Sequence, residues 1–306
     1  MAADIPFRHD FTFEYGRLEP VAPGIRRIVA RNPSPFTFKG TGTYVVGDGE
    51  VAVIDPGPDD PEHVAALLAS LAGERISHIL ITHTHRDHSP AAKAVKEATG
   101  APTYGFGPHA GGKRGEAGIE EGGDWDFAPD VVVRDGEAIA GAGWRFEAVH
   151  TPGHTSNHLC FALPDPGILF SGDHVMGWST SVIAPPDGDM AAYMASLEKL
   201  LERTDSVYWP THGPAITDPR RHVRAFIAHR RERESGVIGC LKAGVESVDG
   251  IVDRLYVGLN PGLRRAAGRS VLAHLVDLIS RDIVASDGPP SVEAHYRLRH
   301  LAAPRR

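Results

Sequence analysis

Residues 82–89 read Thr82-His83-Thr84-His85-Arg86-Asp87-His88-Ser89 and follow an apolar run that predicts a β-strand. An extended backbone turns successive side chains to opposite faces, so we expect His83, His85 and Asp87 on one side. His88 would follow in the turn before the next helix. Three imidazoles and a carboxylate so close together suit Zn²⁺, or Fe or Mn. A lone histidine would more often be a core residue, but this grouping predicts a metal site.

Three later segments offer further metal ligands, each after an apolar strand and beside a glycine. They read Thr151-Pro152-Gly153-His154-Thr155, Ser171-Gly172-Asp173 and Thr211-His212-Gly213-Pro214. Glycine permits the sharp turns and close backbone approach that such sites need. With the first segment, the candidate ligands exceed what one tetrahedral zinc ion requires. The sequence therefore predicts two metal ions, one set by three histidines and the other by a mixed set, joined by a carboxylate.

Around these segments, short strands alternate with Gly/Pro turns and a few helices, a pattern typical of an α/β fold. The predicted strands are 42–46, 51–54, 78–82, 144–150, 158–163, 168–171 and 206–209. The predicted helices are 61–71, 90–98 and 190–203.

Charge divides the chain into an acidic body and a basic tail. Residues 1–218 hold 16 Lys+Arg and 30 Asp+Glu, whereas residues 219–306 hold 16 Lys+Arg and 9 Asp+Glu. We therefore predict a catalytic domain over 1–218 and a second domain over 219–306. The tail pattern predicts three helices followed by a hairpin, which is a winged-helix outline. A basic piece can bind a polyanion or dock as a solvated face on an acidic neighbour, and both interpretations stay open.

Composition excludes several classes of protein. The 306 residues are 42% apolar and 23% charged, as in a globular protein. No apolar run approaches the roughly 18 residues of a membrane span, and the first residues lack the apolar core of a signal peptide. Two cysteines are too few for a disulfide scaffold. We expect a cytoplasmic protein with no membrane partner.

The order of the four segments resembles the metallo-β-lactamase superfamily, over about residues 20–218. This resemblance implies an αββα sandwich with metals at the edge between two sheets. It also implies ligand roles: His83, His85 and His154 for a first Zn²⁺, Asp87, His88 and His212 for a second, and Asp173 between them. Asp55 matches an aspartate that accepts a hydrogen bond from a ligand imidazole.

The tail also resembles that of the β-lactamase-like protein 2 group, through residues 226–234 and a winged-helix-like end. True β-lactamases fit poorly, because their residue at the position of Asp173 is usually Cys or Ser. Two metals predict a hydrolase in which a hydroxide bridging two zinc ions attacks the substrate, while Asp87 or a metal-bound water handles the proton of the leaving group.

Three functions remain open at this point. The favoured one is hydrolysis of a small ester, thioester or lactone, as in glyoxalase II. The first alternative is cleavage of single-stranded nucleic acid, with the basic tail as its binding surface. The second is a sulfur dioxygenase with one iron. A role of the tail in forming a homo-oligomer is equally open.

Three buried-looking residues near the ligands need separate interpretations. We favour a packed strand residue for His158, over a side chain that points toward the substrate or hydrogen-bonds a ligand. His174 is expected to point away from the metals, because strand neighbours alternate. Cys160, between Leu159 and Phe161, is expected to be a buried apolar residue.

Overall fold

The computed structural model describes residues 4–111 and 122–299. Two β-sheets form its centre. The first has seven strands in chain order: β1 (Glu19–Ala22), β2 (Ile25–Val29), β3 (Gly42–Asp48), β4 (Glu50–Ile54), β5 (Arg75–Leu80), β6 (Thr103–Gly105) and β7 (Val131–Val132). The second has five: β8 (Ala138–Gly141), β9 (Trp144–His150), β10 (Leu159–Leu163), β11 (Ile168–Gly172) and β12 (Val207–Pro210), in the order β12-β11-β10-β9-β8.

Six helices and a small hairpin complete the described chain. The helices are α1 (Pro61–Ser70), α2 (Ala91–Thr99), α3 (Met190–Leu201), α4 (Pro219–Lys242), α5 (Val248–Leu255) and α6 (Arg264–Ser280), with a 3₁₀ turn at Pro261–Leu263. The hairpin pairs β13 (Val284–Ser286) with β14 (Tyr296–Leu298). None of the helices in the described ranges is long and apolar enough to cross a lipid bilayer.

The two sheets pack face to face with helices on both outer sides. Along β10, Leu159 and Phe161 face the core between the sheets, whereas Cys160 faces the core beneath α3 and α4. On the other sheet, Tyr44 faces the inter-sheet core and Val45 faces α1 and α2. Because successive strand residues point to opposite faces, a strand buried on both sides must be apolar throughout. The predicted αββα order is confirmed, as is the burial of Cys160.

Helix α4 joins the sandwich to the tail. It has 24 residues, so it is about 36 Å long. Its first half packs Val223 and Phe226 under the second sheet, and its second half packs Val237 and Leu241 into a core with α5 and α6. One helix thus belongs to two cores, and the division of the chain between residues 218 and 219 stays a prediction.

The structure differs from the predicted elements mainly in the first sheet. Strands β1, β2 and β6–β8 were not among the predicted runs, because they are short or contain charged residues. In β2, for example, Arg27 is buried and lies over the ring of Phe11, with 4.4 Å between its Cζ atom and the ring centroid. The predicted strand 78–82 ends earlier, at Leu80, and starts at Arg75.

Candidate metal centre

The candidate ligands all follow the carboxyl ends of strands. Strands β4 and β5 are parallel neighbours in the first sheet, and β11 and β12 are parallel neighbours in the second. Strand β9 runs in the same direction as β11, because each pairs antiparallel with β10. The loops after these five strands therefore meet at one edge of the sandwich.

Residues 82–89 form a loop between β5 and α2, not the end of a strand. A turn closes where the His88 N–H donates to the His85 carbonyl over 3.0 Å. Upstream, the N–H and hydroxyl of Thr82 donate to Asp55, over 2.8 and 2.6 Å. His83 and His85 point toward the same site, as the predicted alternation requires, and the turn brings Asp87 and His88 to it as well.

Three imidazole nitrogens form a first cluster. His85 Nδ1 lies 3.1 Å from His83 Nε2 and 3.2 Å from His154 Nε2. Burial, followed by the neighbouring imidazoles, lowers the pKa of His83 and His85, and burial lowers that of His154. A neutral imidazole has one N–H, so hydrogen bonds among the three rings cannot satisfy all three nitrogens. Their lone pairs suit a cation.

A second cluster contains a carboxylate. Asp87 Oδ2 lies 3.2 Å from His88 Nε2 and 3.1 Å from His212 Nε2. The ligand atoms of these three residues lie within 4.8 Å of one another, as do those of the first cluster. Burial opposes ionisation of Asp87, but the imidazoles of His88 and His212 outweigh it and lower the pKa of Asp87. The carboxylate is therefore ionised at neutral pH.

Asp173 lies between the clusters. Its Oδ2 is 3.2 Å from His212 Nε2, 3.6 Å from His88 Nε2 and 4.0 Å from His154 Nε2. Its Oδ1 is buried without a hydrogen-bond partner. A buried carboxylate oxygen without a partner is costly unless a cation accompanies it. The residues present therefore fit divalent metal ions, and all seven sequence-predicted ligands meet here.

Asp55 holds ligands of both clusters. His88 Nδ1 donates to Asp55 Oδ2 over 3.0 Å, as predicted. His83 Nδ1 lies 3.0 Å from the Thr82 hydroxyl, which itself donates to Asp55. Such outer hydrogen bonds fix the tautomer and orientation of a ligand imidazole. The Asp55 backbone has a φ of 48°, an uncommon value that aims its side chain at this loop.

Backbone carbonyls orient two other ligand rings. His154 Nδ1 donates to the Val182 carbonyl over 2.7 Å, and His212 Nδ1 lies 3.3 Å from the Gly40 carbonyl. The Thr41 hydroxyl donates to Asp87 Oδ2 over 3.1 Å. Sequence reasoning missed these contacts, since no motif connects residues so distant in the chain.

His158 corrects an expectation. It is fully buried, but it is also bonded: Nδ1 lies 2.9 Å from the Thr151 hydroxyl, and Nε2 accepts the backbone N–H of Asp173 over 3.2 Å. The less favoured interpretation, a hydrogen bond to a ligand residue, is the right one. Gly172 is required here, because a Cβ atom would lie 2.6 Å from His158 Nε2.

His174 takes no part in the clusters. Its ring packs on Tyr193, with the ring centroids 4.7 Å apart, and burial lowers its pKa to about 3. The expectation that it points away from the ligands agrees with this position.

Comparison with known proteins assigns the chain to a family. A model of the metallo-beta-lactamase superfamily matches residues 37–212, and one of the beta-lactamase associated winged helix domain matches residues 247–289. A Caenorhabditis elegans protein named beta-lactamase-like protein 2 homolog is 31% identical over 87% of this chain and 88% of its own length. A Claviceps purpurea protein named atrochrysone carboxyl ACP thioesterase is 29% identical over 72% of this chain and 66% of its own.

A beta-lactamase domain protein from Burkholderia ambifaria shares the fold, with a TM-score of 0.78 at 19% identity, over 96% of this chain and 97% of that one. Together, the two family models and this shared fold confirm the predicted sandwich with a C-terminal winged helix. The chain belongs to the metallo-beta-lactamase superfamily and is a metal-dependent hydrolase.

Proposed function

We propose that this protein is a binuclear zinc hydrolase of a small ester, thioester or lactone. The observation that carries the proposal is the position of Asp173, whose carboxylate faces ligand atoms of both clusters. One oxygen shared between two sets of donors suits a pair of cations better than one. The thioesterase name of a relative supports the substrate class.

Each residue has a distinct part in this proposal. His83, His85 and His154 would hold the first ion, Asp87, His88 and His212 the second, and Asp173 both. When bound, the two ions would supply a water acidic enough to act as nucleophile at neutral pH, and would polarise the scissile carbonyl. Asp87 would accept the proton that this water releases and pass it to the leaving group, since it is ionised and Thr41 orients it.

Metal analysis tests this proposal directly. We expect two zinc ions per purified chain and hydrolysis of neutral 4-nitrophenyl esters or thioesters. In equilibrium titrations, His83→Ala should empty one site first and Asp87→Ala the other. About one iron and no zinc per chain would favour the sulfur dioxygenase instead. Loss of the same single site in both variants would contradict the two-ion assignment.

A further inference from the structure

A cavity lies where helix α4 passes from the sandwich to the tail. It has a volume of about 250 Å³, and its lining includes Phe36, Trp178, Ser181, Val182, Arg230 and Arg233. We name it the arginine cavity. Ligand pockets for whole small molecules usually measure roughly 300–1,000 Å³. This cavity therefore fits one end of a substrate.

Two guanidinium groups line the cavity without a carboxylate partner. Arg230 is 3% exposed, donates to the Ser181 carbonyl and lies 5.1 Å from the ring centroid of Tyr193. Arg233 donates to the Leu255 carbonyl over 2.6 Å and stacks on Tyr256. Among the ion pairs of the described residues, none involves Arg230 or Arg233. A buried charge without an opposite charge is costly, so the cavity calls for an anion.

Unused donors point to the same conclusion. Three lining residues each carry a buried nitrogen without a hydrogen-bond partner, namely Trp178 Nε1, His229 Nδ1 and Arg230 Nε. Buried polar groups in proteins are nearly always bonded. Burial, followed by Arg230 and Arg233 and opposed by Glu232, lowers the pKa of His229 to about 4.

One segment connects the cavity with the metal centre. Ser181 and Val182 line the cavity. The same two residues also contact candidate ligand residues. The Ser181 hydroxyl donates to the Asp173 carbonyl over 2.6 Å, and the Val182 carbonyl accepts from His154. An anion held by the arginines would thus be close to the candidate metal ligands.

We propose that the arginine cavity binds a carboxylate or phosphate group of the substrate, through Arg230 and Arg233, while the scissile bond lies at the metals. The second half of this statement rests on the proposed function. A guanidinium offers paired N–H donors that match the oxygens of either anion, and such charged hydrogen bonds are strong. The substrate is then a small acidic ester or thioester.

Two esters with the same leaving group test the subsite on the zinc-loaded full chain. The neutral probe is 4-nitrophenyl acetate, and the anionic probe is mono-4-nitrophenyl glutarate. We expect Arg233→Gln to raise the KM ratio of anionic to neutral ester by about ten- to a hundredfold, as the loss of a charged hydrogen bond implies. Arg233→Lys should restore part of this, because it keeps the charge.

Arg224→Gln is the matched control, since Arg224 is an exposed residue of the same helix and undergoes the same charge change. It should leave the ratio unchanged. Calorimetry with glutarate, and separately with inorganic phosphate, supplies a readout without turnover and tells which anion is preferred. Weaker binding in Arg233→Gln than in Arg224→Gln is expected.

The outcomes separate the two proposals. Hydrolysis of both esters, with the same KM ratio in wild type, Arg233→Gln and Arg224→Gln, would overturn the anion subsite and leave the hydrolase intact. Hydrolysis of neither ester would count against the proposed function, and the glutarate and phosphate isotherms would then decide the subsite alone. The anion subsite would be overturned if Arg233→Gln bound glutarate as tightly as Arg224→Gln does, and phosphate as tightly as well.

Discussion

The metal centre and the arginine cavity share contacts with residues 181–182, but they contain different charged groups. The centre combines buried Asp87 and Asp173 with five imidazoles, and no Lys or Arg pairs with either carboxylate in the described chain. The cavity combines Arg230 and Arg233, and no Asp or Glu is among its described lining residues. In the two proposals above, each region would bind a ligand of the opposite sign.

This contrast shows how a hydrolase can orient a polar substrate. Cations at the acidic side would attract the carbonyl oxygen, and guanidiniums at the basic side would attract a terminal anion. Two points of attachment would fix the position of the scissile bond at the metals. This should increase the reaction rate more than either contact alone.

The largest expected effect comes from removing the shared carboxylate. Asp173→Ala should lose bound zinc and ester hydrolysis together, because ligand atoms of both clusters face Asp173 Oδ2. Zinc per chain and turnover measure this, and the loss should exceed the roughly 10–100-fold typical of outer residues. Arg233→Gln should keep its zinc, which separates the two regions.

Asp48→Ala provides a control for Asp173→Ala, since Asp48 is an exposed residue at the end of β3. Full zinc content and unchanged turnover in Asp173→Ala would exclude a bridging role and remove the basis for the contrast.

A smaller loss of zinc affinity is expected when the hydrogen bonds that orient the candidate ligands are removed. Asp55→Asn replaces an oxygen that accepts from His88 or Thr82 by a donor, so ligand rings of both clusters lose their orientation. We expect zinc affinity to fall by roughly 10–100-fold. Competition with a chelator measures it. Thr211→Val removes only the 3.3 Å contact to Asp55 and should cost less. An unchanged affinity in Asp55→Asn would mean that backbone contacts alone hold the rings.

The metal centre could be predicted from the sequence, whereas the arginine cavity could not. The candidate metal ligands lie in short motifs after strands, and local spacing was enough to name the seven residues that the structure brings together. The cavity depends on which face of α4 turns inward, and that is set by two separate cores. Adjacent residues show the problem: Arg230 is buried, whereas Arg231 is exposed and pairs with Glu198. The sequence presents both as equivalent members of one basic run.

Hydrogen bonds between distant segments were equally hidden. His158 and Val182 support the ligand residues Asp173 and His154 through backbone groups, which carry no side-chain signature. The strands β1 and β2 escaped prediction because β1 has four residues and β2 contains two arginines. Local periodicity therefore predicted only those elements whose own sequence shows an apolar pattern.

The smallest expected effect concerns nucleic acid, the alternative substrate for a basic tail. Binding of single-stranded RNA by counterion release would fall steeply with salt, by roughly one unit of slope for each arginine on a phosphate. Several tail arginines already have acidic partners in the described chain, however. Arg264 pairs with Asp253 over 2.6 Å, and Arg299 with Asp282 over 3.0 Å.

We therefore expect the metal-depleted full chain to bind single-stranded RNA weakly even at low salt, with little slope. The acidic body, which holds the candidate ligands, would also repel a polyanion. A salt series with wild type and Arg264→Gln measures this. A steep dependence that becomes shallower in Arg264→Gln would place phosphates on the tail and favour the nuclease. It would also mean that the positive charge of the tail acts as a continuous surface, because a cavity of about 250 Å³ admits one anion and no chain.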